Sequence, residues 1–295
     1  MNSKQQVLSG MAAIMILAAS AAHAQVLPEA VTELRIPLAV KPTSRPQTVA
    51  YLPDYSRYIV ADGGLAPIPD GLGFPLSKSE LHVYDAQGAY LKSVRPGLDN
   101  RSIYFNPNSN QLEVITYNVS SGAGFTPNTG IFALKLDEAG APTEQSDEII
   151  GHNPAFGSAA TIPSFDAGED CYYAKQERSN QVLIVKAKTR EPLGEIALDF
   201  AAAGVVPGDV SEHYAAYTGV PGEELALLDV DHKAILLFNL KGAYVGKSAL
   251  PGSMKLRANN HYNGLGYANG MFFVYHEPEG EFGTYYGFRV LDKAK

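Results

Sequence analysis

The chain has 295 residues, with 31 acidic and 23 basic side chains and a net charge of −8. An acidic chain without a Lys/Arg cluster is a poor partner for phosphate backbones, which argues against nucleic acid as a ligand. Short β-branched and aromatic runs alternate with Gly, Pro, Asn and Asp turns, and there are 28 Gly, 19 Pro and 17 Tyr. This composition predicts an all-β fold.

The first 24 residues predict a cleavable signal peptide. Lys4 provides a charged start, residues 11–19 are apolar, and Ala22-His23-Ala24 forms an A-x-A cleavage site. The apolar run is shorter than the ~20 residues that span a bilayer. We therefore expect cleavage after Ala24, a periplasmic or secreted protein without a membrane span, and one domain over residues 25–295.

The predicted strands form units of four. A lone strand at residues 31–38 precedes the units, which we place approximately at residues 43–97, 98–150, 151–200, 201–252 and 253–295. The turn before each fourth strand falls at position 88, 140, 190 or 191, and 242, a step of about 51 residues. Residues 81–97 and 235–252 share Gly-Ala-Tyr after this turn. A four-stranded unit at a fixed period predicts a β-propeller.

A second marker has the same period. An aromatic residue ends the first strand of each unit, at Tyr51, Phe105, Phe165, Tyr217 and Tyr267. The last unit lacks a fourth strand, whereas the strand at residues 31–38 lacks a unit. The sequence therefore predicts five blades closed by the N-terminal strand, which leaves no exposed sheet edge. A sixth, degenerate blade and a two-sheet sandwich are the alternatives; a sandwich does not explain the period.

Nearly all of residues 25–295 resemble the β-propeller superfamily in strand order and spacing. The chain contains no Trp-Asp dipeptide, kelch glycine pair or NHL-type consensus that would name a family within it. The blade count is similar to that of arabinanase-type glycoside hydrolases and some sugar-binding lectins.

The connections differ in length between the two ends of such a fold. The long ones run between second and third strands and between units, so they share one end, which we call the long-loop face: residues 63–79, 118–129, 151–159, 201–211, 252–262 and 277–283. Because function concentrates in loops on a rigid scaffold, we expect ligands here. The alternative is that the long loops are tolerated insertions.

Polar residues begin each first strand, four positions before the marker aromatic. These are predicted to ring the channel mouth on the long-loop face, and we call them the mouth ring: Gln47, Arg101, Thr161, His213 and Asn263. Asp62, His152, Glu177 and His261 should lie nearby, and all nine are predicted ligand-binding residues. A polar ring around a water-filled channel is the structural alternative. His152, His213 and His261 could converge on a divalent metal, but they lack ligand spacing, so no cofactor is predicted.

These features predict a non-catalytic binding or scaffold module that recognises a protein, peptide or carbohydrate. Anchors for such a ligand would be Phe74, Phe125, Phe156 and Phe282. The alternative is a hydrolase or lactonase-type enzyme with carboxylates, and a divalent metal, at the channel mouth. No catalytic residue is assigned, because the sequence contains no G-x-S-x-G motif and Cys171 lies in an apolar strand that predicts an inert thiol.

Overall fold

The computed structural model describes residues 25–42, 45–63, 79–116, 130–151, 155–158, 161–258, 263–277 and 282–292. The regular secondary structure of these ranges is β-strand, apart from one 3-10 turn (Pro53–Tyr55) and one four-residue helix, which confirms the predicted class. The elements, in order, are β1 (Val26–Pro37), β2 (Arg45–Leu52), β3 (Arg57–Gly63), β4 (Glu80–Tyr84), β5 (Tyr90–Val94), β6 (Asn100–Asn106), β7 (Gln111–Thr116), β8 (Gly130–Leu136), β9 (Pro142–Gly151), β10 (Ser164–Asp166), β11 (Cys171–Lys175), β12 (Gln181–Lys186), β13 (Pro192–Ala197), α1 (Phe200–Ala203), β14 (Ala216–Tyr217), β15 (Leu225–Asp229), β16 (Ala234–Phe238), β17 (Tyr244–Ala249), β18 (Gly266–Ala268), β19 (Met271–His276) and β20 (Thr284–Leu291).

The strands form four-stranded antiparallel sheets in chain order. Three sheets are separate: β2–β5, β6–β9 and β10–β13. The remaining strands form one eight-stranded sheet, in the order β14-β15-β16-β17-β1-β20-β19-β18. It combines the run β14–β17 with β18–β20, and β1 lies between the two runs. β1 pairs antiparallel with β20 from Val26 to Pro37 and is parallel to β17 at Glu29 and Ala249.

The first strands of successive units are neighbours. The amide of Ile103 in β6 donates to Thr48 Oγ1 in β2 (3.1 Å), and Ser102 Oγ donates to the Pro163 carbonyl (3.4 Å) just before β10. The amide of Ile162 donates to the His213 carbonyl (2.9 Å) just before β14. The first strands are therefore the inner strands of a radial arrangement, as in a propeller.

The hydrophobic core is divided among the interfaces between consecutive sheets. Ala61 and Val83 of the first sheet pack with Val114 and Phe132 of the second. Clusters of the same kind join the second sheet to the third, and the third to β14–β17. Another cluster joins β1, β19 and β20 to β2–β4. A further cluster lies within the eight-stranded sheet, between β14–β17 and β18–β20, so each four-stranded unit packs against its neighbours on both faces.

The turn between the third and fourth strands recurs with the same hydrogen bonds. Asp85, Asp137 and Asn239 each accept bonds from two following backbone amides through their side-chain oxygen. Three residues later, Gly88, Gly140 and Gly242 have φ angles of 81°, 76° and 81°. The third unit differs because its turn is one residue longer, with Arg190 at φ 65° in the left-handed conformation.

Some predicted strand bounds are wrong in the third and fourth units. The alternating pattern of residues 193–200 predicts one strand, but β13 ends at Ala197 and Phe200 begins α1. Asp199 caps that helix by accepting a bond from the Ala202 amide (3.0 Å). The pattern also predicts first strands at residues 160–165 and 212–217, but β10 and β14 are shorter. The preceding residues Ile162 and Tyr214 form a parallel bridge with each other instead of a ladder within their own sheets.

Candidate functional site

The mouth ring lies at the starts of the inner strands, as predicted. Gln47 is in β2 and Arg101 in β6, while Thr161, His213 and Asn263 precede β10, β14 and β18. The side chain of Gln47 lies outside the described residues. The other four residues are 0–4% exposed, so they are buried instead of presented on a surface. Their role as ligand contacts stays a prediction.

Arg101 forms a buried ion pair with Asp99. The guanidinium donates through Nε to Asp99 Oδ1 (2.9 Å) and through a terminal nitrogen to Asp99 Oδ2 (2.8 Å). Both side chains are at most 5% exposed. A buried charge requires such a partner, and the two-point geometry fixes the guanidinium plane. The Arg101 side chain is therefore fixed in position by Asp99, within the protein itself.

Thr161 and Lys175 connect the third unit to the fourth. Thr161 Oγ1 donates to the Lys175 carbonyl (2.7 Å), and Lys175 Nζ donates to the carbonyls of Gln176 (3.2 Å) and Glu212 (3.1 Å). Lys175 is fully buried, and this burial lowers the pKa of its amine to about 8, although the carboxylates of Glu212 and Glu177 oppose the shift. The amine is therefore partly neutral near pH 8.

His213 and Asn263 complete the described part of the mouth ring. His213 Nε2 lies 3.5 Å from a carboxylate oxygen of Glu212. The Asn263 side chain accepts a bond from the Arg257 amide (2.9 Å) and donates to the Arg257 carbonyl (2.8 Å). These bonds join the two ends of the connection that precedes β18.

Asp62, at the end of β3, belongs to a separate polar cluster. It is fully buried, and its Oδ2 lies 3.3 Å from His82 Nε2 in β4. The other ring nitrogen of His82 is 2.7 Å from Ser93 Oγ in β5. A Glu80 carboxylate oxygen lies within 4.8 Å of the ligand atoms of Asp62 and His82. One face of the first sheet thus carries an Asp, a Glu, a His and a Ser together.

The remaining predicted residues divide into three groups. His152, His261, Phe74 and Phe125 lie outside the described residues. Glu177 is 39% exposed, with Arg178 Nε 4.0 Å away. Phe156 is buried against Tyr172, with ring centroids 5.2 Å apart, so its predicted role as a surface anchor is wrong, whereas Phe282 is 46% exposed.

A cavity of about 330 Å³ lies on the axis between the inner strands. Its walls include residues 48–51, 102–105, 162–165, 214–217 and 265–268, and all five marker aromatics line it. Pro53, Pro107 and Asn269 border it, and they belong to turns at the end opposite the long-loop face. The cavity does not include the mouth ring.

Sequence reasoning missed Glu80 and His82. The stretch containing them was interpreted only as part of the repeat, although a signal was present. In ELHVY, Glu80 and His82 are two residues apart and so share a face of the strand. A charged and a titratable residue on one face of an otherwise apolar strand indicate a polar cluster. Only the pairing of β4 with β3 shows that Asp62 is their partner.

The thiol of Cys171 is buried, as predicted, and burial raises its pKa to about 11. A thiol that stays protonated at neutral pH is a poor nucleophile. In the described ranges, no helix combines the length and the apolar character needed to cross a membrane.

No protein-family model matches the chain, and no curated protein matches its sequence. Solved structures do. A Bacteroides thetaiotaomicron protein of unknown function gives a TM-score of 0.46 at 11% identity, covering 90% of this chain and 73% of that one. Regucalcin from Agrobacterium tumefaciens, titled a calcium-binding protein, gives 0.40 at 12% identity, covering 90% and 98%. The β-propeller domain of Myceliophteria thermophila Cps50 (Swd1) gives 0.39 at 12% identity, covering 83% and 82%.

The architecture is a β-propeller. The radial arrangement of the four-stranded sheets around the inner strands establishes this fold.

Proposed function

We propose that the protein is an exported, non-catalytic binding propeller that recognises a protein, peptide or carbohydrate through its long-loop face. One observation carries the proposal: the described mouth-ring side chains already bond within the protein. Arg101 pairs with Asp99, Thr161 bonds to a carbonyl, and Asn263 bonds to Arg257. Groups held in this way make a rigid rim that supports the loops around it.

The proposed propeller has five blades, with β1 as the fourth strand of the last one. The contacts between the turn before each fourth strand and the outer strand of the adjacent sheet support this arrangement. A Cβ atom at Gly242 would lie 2.0 Å from the carbonyl oxygen of Ala197, at the end of the preceding sheet's outer strand. A Cβ atom at Gly88 would lie 2.2 Å from the carbonyl oxygen of Arg35 in β1. β1 therefore has the same relation to the first sheet as β13 has to the β14–β17 run.

Export rests on the sequence of residues 1–24, which are removed after Ala24 in this proposal. The test is expression of the full chain followed by cell fractionation and intact-mass measurement. We expect a periplasmic or secreted species that begins at Gln25. Uncleaved protein in the cytoplasm would contradict export without affecting the proposed binding face.

Ligand recognition is tested by replacing residues 64–78 with a short Gly-Ser linker, which leaves β3 and β4 intact. The bait is the mature protein, incubated with extract from its native periplasm. We expect the wild type to retain a specific partner and the loop variant to lose it. The matched control replaces Leu240 and Lys241, in the turn at the opposite end, by Ala and should keep the partner.

Two results would contradict this assignment of the long-loop face. One is equal retention of the partner by the loop variant. The other is loss of the partner in the variant of the opposite turn. Circular dichroism and thermal unfolding of each variant show whether the propeller has remained folded.

One observation favours a hydrolase or lactonase-type activity as a second candidate: the carboxylates of Asp62 and Glu80 lie close together near the long-loop face. Paired carboxylates can supply acid and base groups for hydrolysis. A panel of aryl glycosides, esters and lactones tests this candidate. Turnover that disappears in Asp62→Asn would support it, and no turnover across the panel would eliminate hydrolysis of these substrate classes.

A further inference from the structure

Three metal-ligating side chains converge where β3 ends and β4 begins. Asp62 contributes a carboxylate oxygen, Glu80 another, and His82 a ring nitrogen, and these atoms all lie within 4.8 Å of one another. We propose that Asp62, Glu80 and His82 form a binding site for a divalent transition-metal ion, with Zn²⁺ as the preferred ion. This site differs from the one considered at His152, His213 and His261.

Charge and burial favour a cation between these groups. Asp62 and His82 are fully buried, and the Glu80 side chain is only 14% exposed. Two carboxyl groups close together and shielded from water attract a cation more strongly than exposed ones do, because the surrounding dielectric constant is low. Arg95 donates to Glu80 Oε1 (2.6 Å), but its side chain is 55% exposed. The arginine thus contacts Glu80 from the solvent side, and a divalent ion would stabilise both carboxylates.

The imidazole of His82 is oriented as a metal ligand. Its Nδ1 is 2.7 Å from the hydroxyl of Ser93, which lies directly opposite in β5, while Nε2 faces Asp62. A hydrogen bond at one ring nitrogen commonly fixes the other nitrogen towards a metal. Metal–ligand distances of about 2.0–2.2 Å put tetrahedral donors roughly 3.3–3.6 Å apart. The Nε2–Oδ2 distance of 3.3 Å already matches that spacing.

A second, independent observation comes from the opposing sheet. Tyr285 of β20 is 1% exposed, and its hydroxyl has no hydrogen-bond partner among the described residues. Tyr285 packs in one hydrophobic cluster with Val60, and Val60 lies directly opposite His82 in the first sheet, so the hydroxyl belongs to a side chain packed on the face that carries the three ligands. A buried hydroxyl without a partner is costly. A metal ion with a bound water at Asp62 would supply one.

The ligand set selects the ion. An imidazole nitrogen favours Zn²⁺ and other transition metals over Ca²⁺ and Mg²⁺, which prefer oxygen ligands only. Asp62 is the penultimate residue of β3, and Glu80 is the first residue of β4. A bound ion would therefore join the two ends of the connection at residues 64–78.

The test uses the mature protein without a histidine tag, freed of metal by a chelator and titrated with Zn²⁺ against a chromophoric zinc indicator. We expect one equivalent of zinc to bind and the melting temperature to rise with it. Glu80→Gln keeps the size and polarity of the side chain but removes the charged ligand. Its affinity for zinc should fall by more than the roughly 10- to 100-fold seen when a residue that only hydrogen-bonds to a metal ligand is lost.

His232→Ala is the matched control. His232 also lies beside a carboxylate, with Nδ1 3.0 Å from Asp229 Oδ2, but it is 56% exposed and on another sheet. We expect this variant to bind zinc as the wild type does. Ser93→Ala should fold normally and lose roughly 10-fold in affinity, because it removes the bond that orients His82 together with an exposed bond to the Tyr90 hydroxyl.

The proposal is overturned if the wild type binds no stoichiometric zinc, if Glu80→Gln binds it equally well, or if Ca²⁺ gives the larger thermal shift. These measurements need no ligand of the long-loop face. A negative result in the zinc titration would leave the proposed binding function intact. A pull-down without a specific partner would likewise leave the metal site intact.

Discussion

Lys175 shows how one buried residue makes stability depend on pH. It is fully buried at the end of β11, and burial lowers the pKa of its amine from 10.5 to about 8. Between these two values the unfolded chain binds more protons than the folded protein does. The free energy of unfolding therefore rises with pH across this window.

We expect Lys175→Met to remove this contribution. Between pH 7 and pH 9.5, the free energy of unfolding of the variant should rise by about 2 kcal/mol less than that of the wild type. Urea unfolding of both proteins at several pH values measures this difference. Tyrosine ionisation affects both proteins equally and does not contribute to it. Lys247→Met, at an exposed lysine of β17, is the control and should follow the wild type. Parallel curves for Lys175→Met and the wild type would contradict the shifted pKa.

The Arg101–Asp99 pair gives a second prediction at this scale. Arg101→Met leaves the Asp99 carboxylate buried without its guanidinium and should cost about 3–5 kcal/mol. The double variant Arg101→Met, Asp99→Asn should be more stable than the sum of the two single losses implies. Denaturant unfolding of the four proteins completes the cycle, and strictly additive losses would show that the pair is not coupled.

Among the elements, the turn between third and fourth strands packs closely against the neighbouring unit. Its Asp or Asn side chain satisfies two backbone amides, and its glycine provides the left-handed conformation. The absence of a Cβ also lets the turn approach the neighbouring outer strand. Gly88 approaches β1 in this way, and Gly242 approaches the end of β13.

Gly88→Ala should therefore destabilise the protein by about 3 kcal/mol, because strain at positive φ adds to a contact with the Arg35 carbonyl oxygen. Gly97→Ala is the matched control: its φ is 76°, but a Cβ there would have no neighbour within 4 Å. It should lose only about 1 kcal/mol. The comparison uses thermal or urea unfolding, and equal losses would contradict close packing of the Gly88 turn on β1.

β1 can be tested directly through its buried face. Ile36 is fully buried between β1, β20 and the first sheet, whereas Val31 on the same strand is 40% exposed. Ile36→Ala should cost about 2–5 kcal/mol, and Val31→Ala within about 0.5 kcal/mol. If Ile36→Ala unfolds at the same urea concentration as the wild type, β1 does not stabilise the molecule.

For the whole molecule, the core lies between neighbouring units and not within any one of them. Each hydrophobic cluster takes most of its residues from two neighbouring units, so no unit has a complete core of its own. The described units should therefore unfold together. In the Ile36→Ala experiment, this appears as one cooperative transition displaced to lower urea, not as a separate early phase.

The sequence by itself determined the repeat. Alternating strands, turn residues and the spacing of Gly88, Gly140 and Gly242 are local properties, and local patterns predict them to within a few residues. Strand bounds failed at β10 and β14, where Ile162 and Tyr214 form a parallel bridge across units and the Ile162 amide donates to the His213 carbonyl. Such a long-range bond leaves no local signal.

The tertiary structure alone decided how the polar residues are grouped. The sequence placed Arg101, Thr161, His213 and Asn263 at the starts of inner strands, but only packing shows that they are buried and bonded inside. Asp62, Glu80, His82 and Ser93 are separated by up to 31 positions in the chain. They meet because strand register aligns three neighbouring strands. Period is encoded locally, whereas side-chain proximity depends on pairing between distant segments, and this is why the repeat could be predicted and the cluster could not.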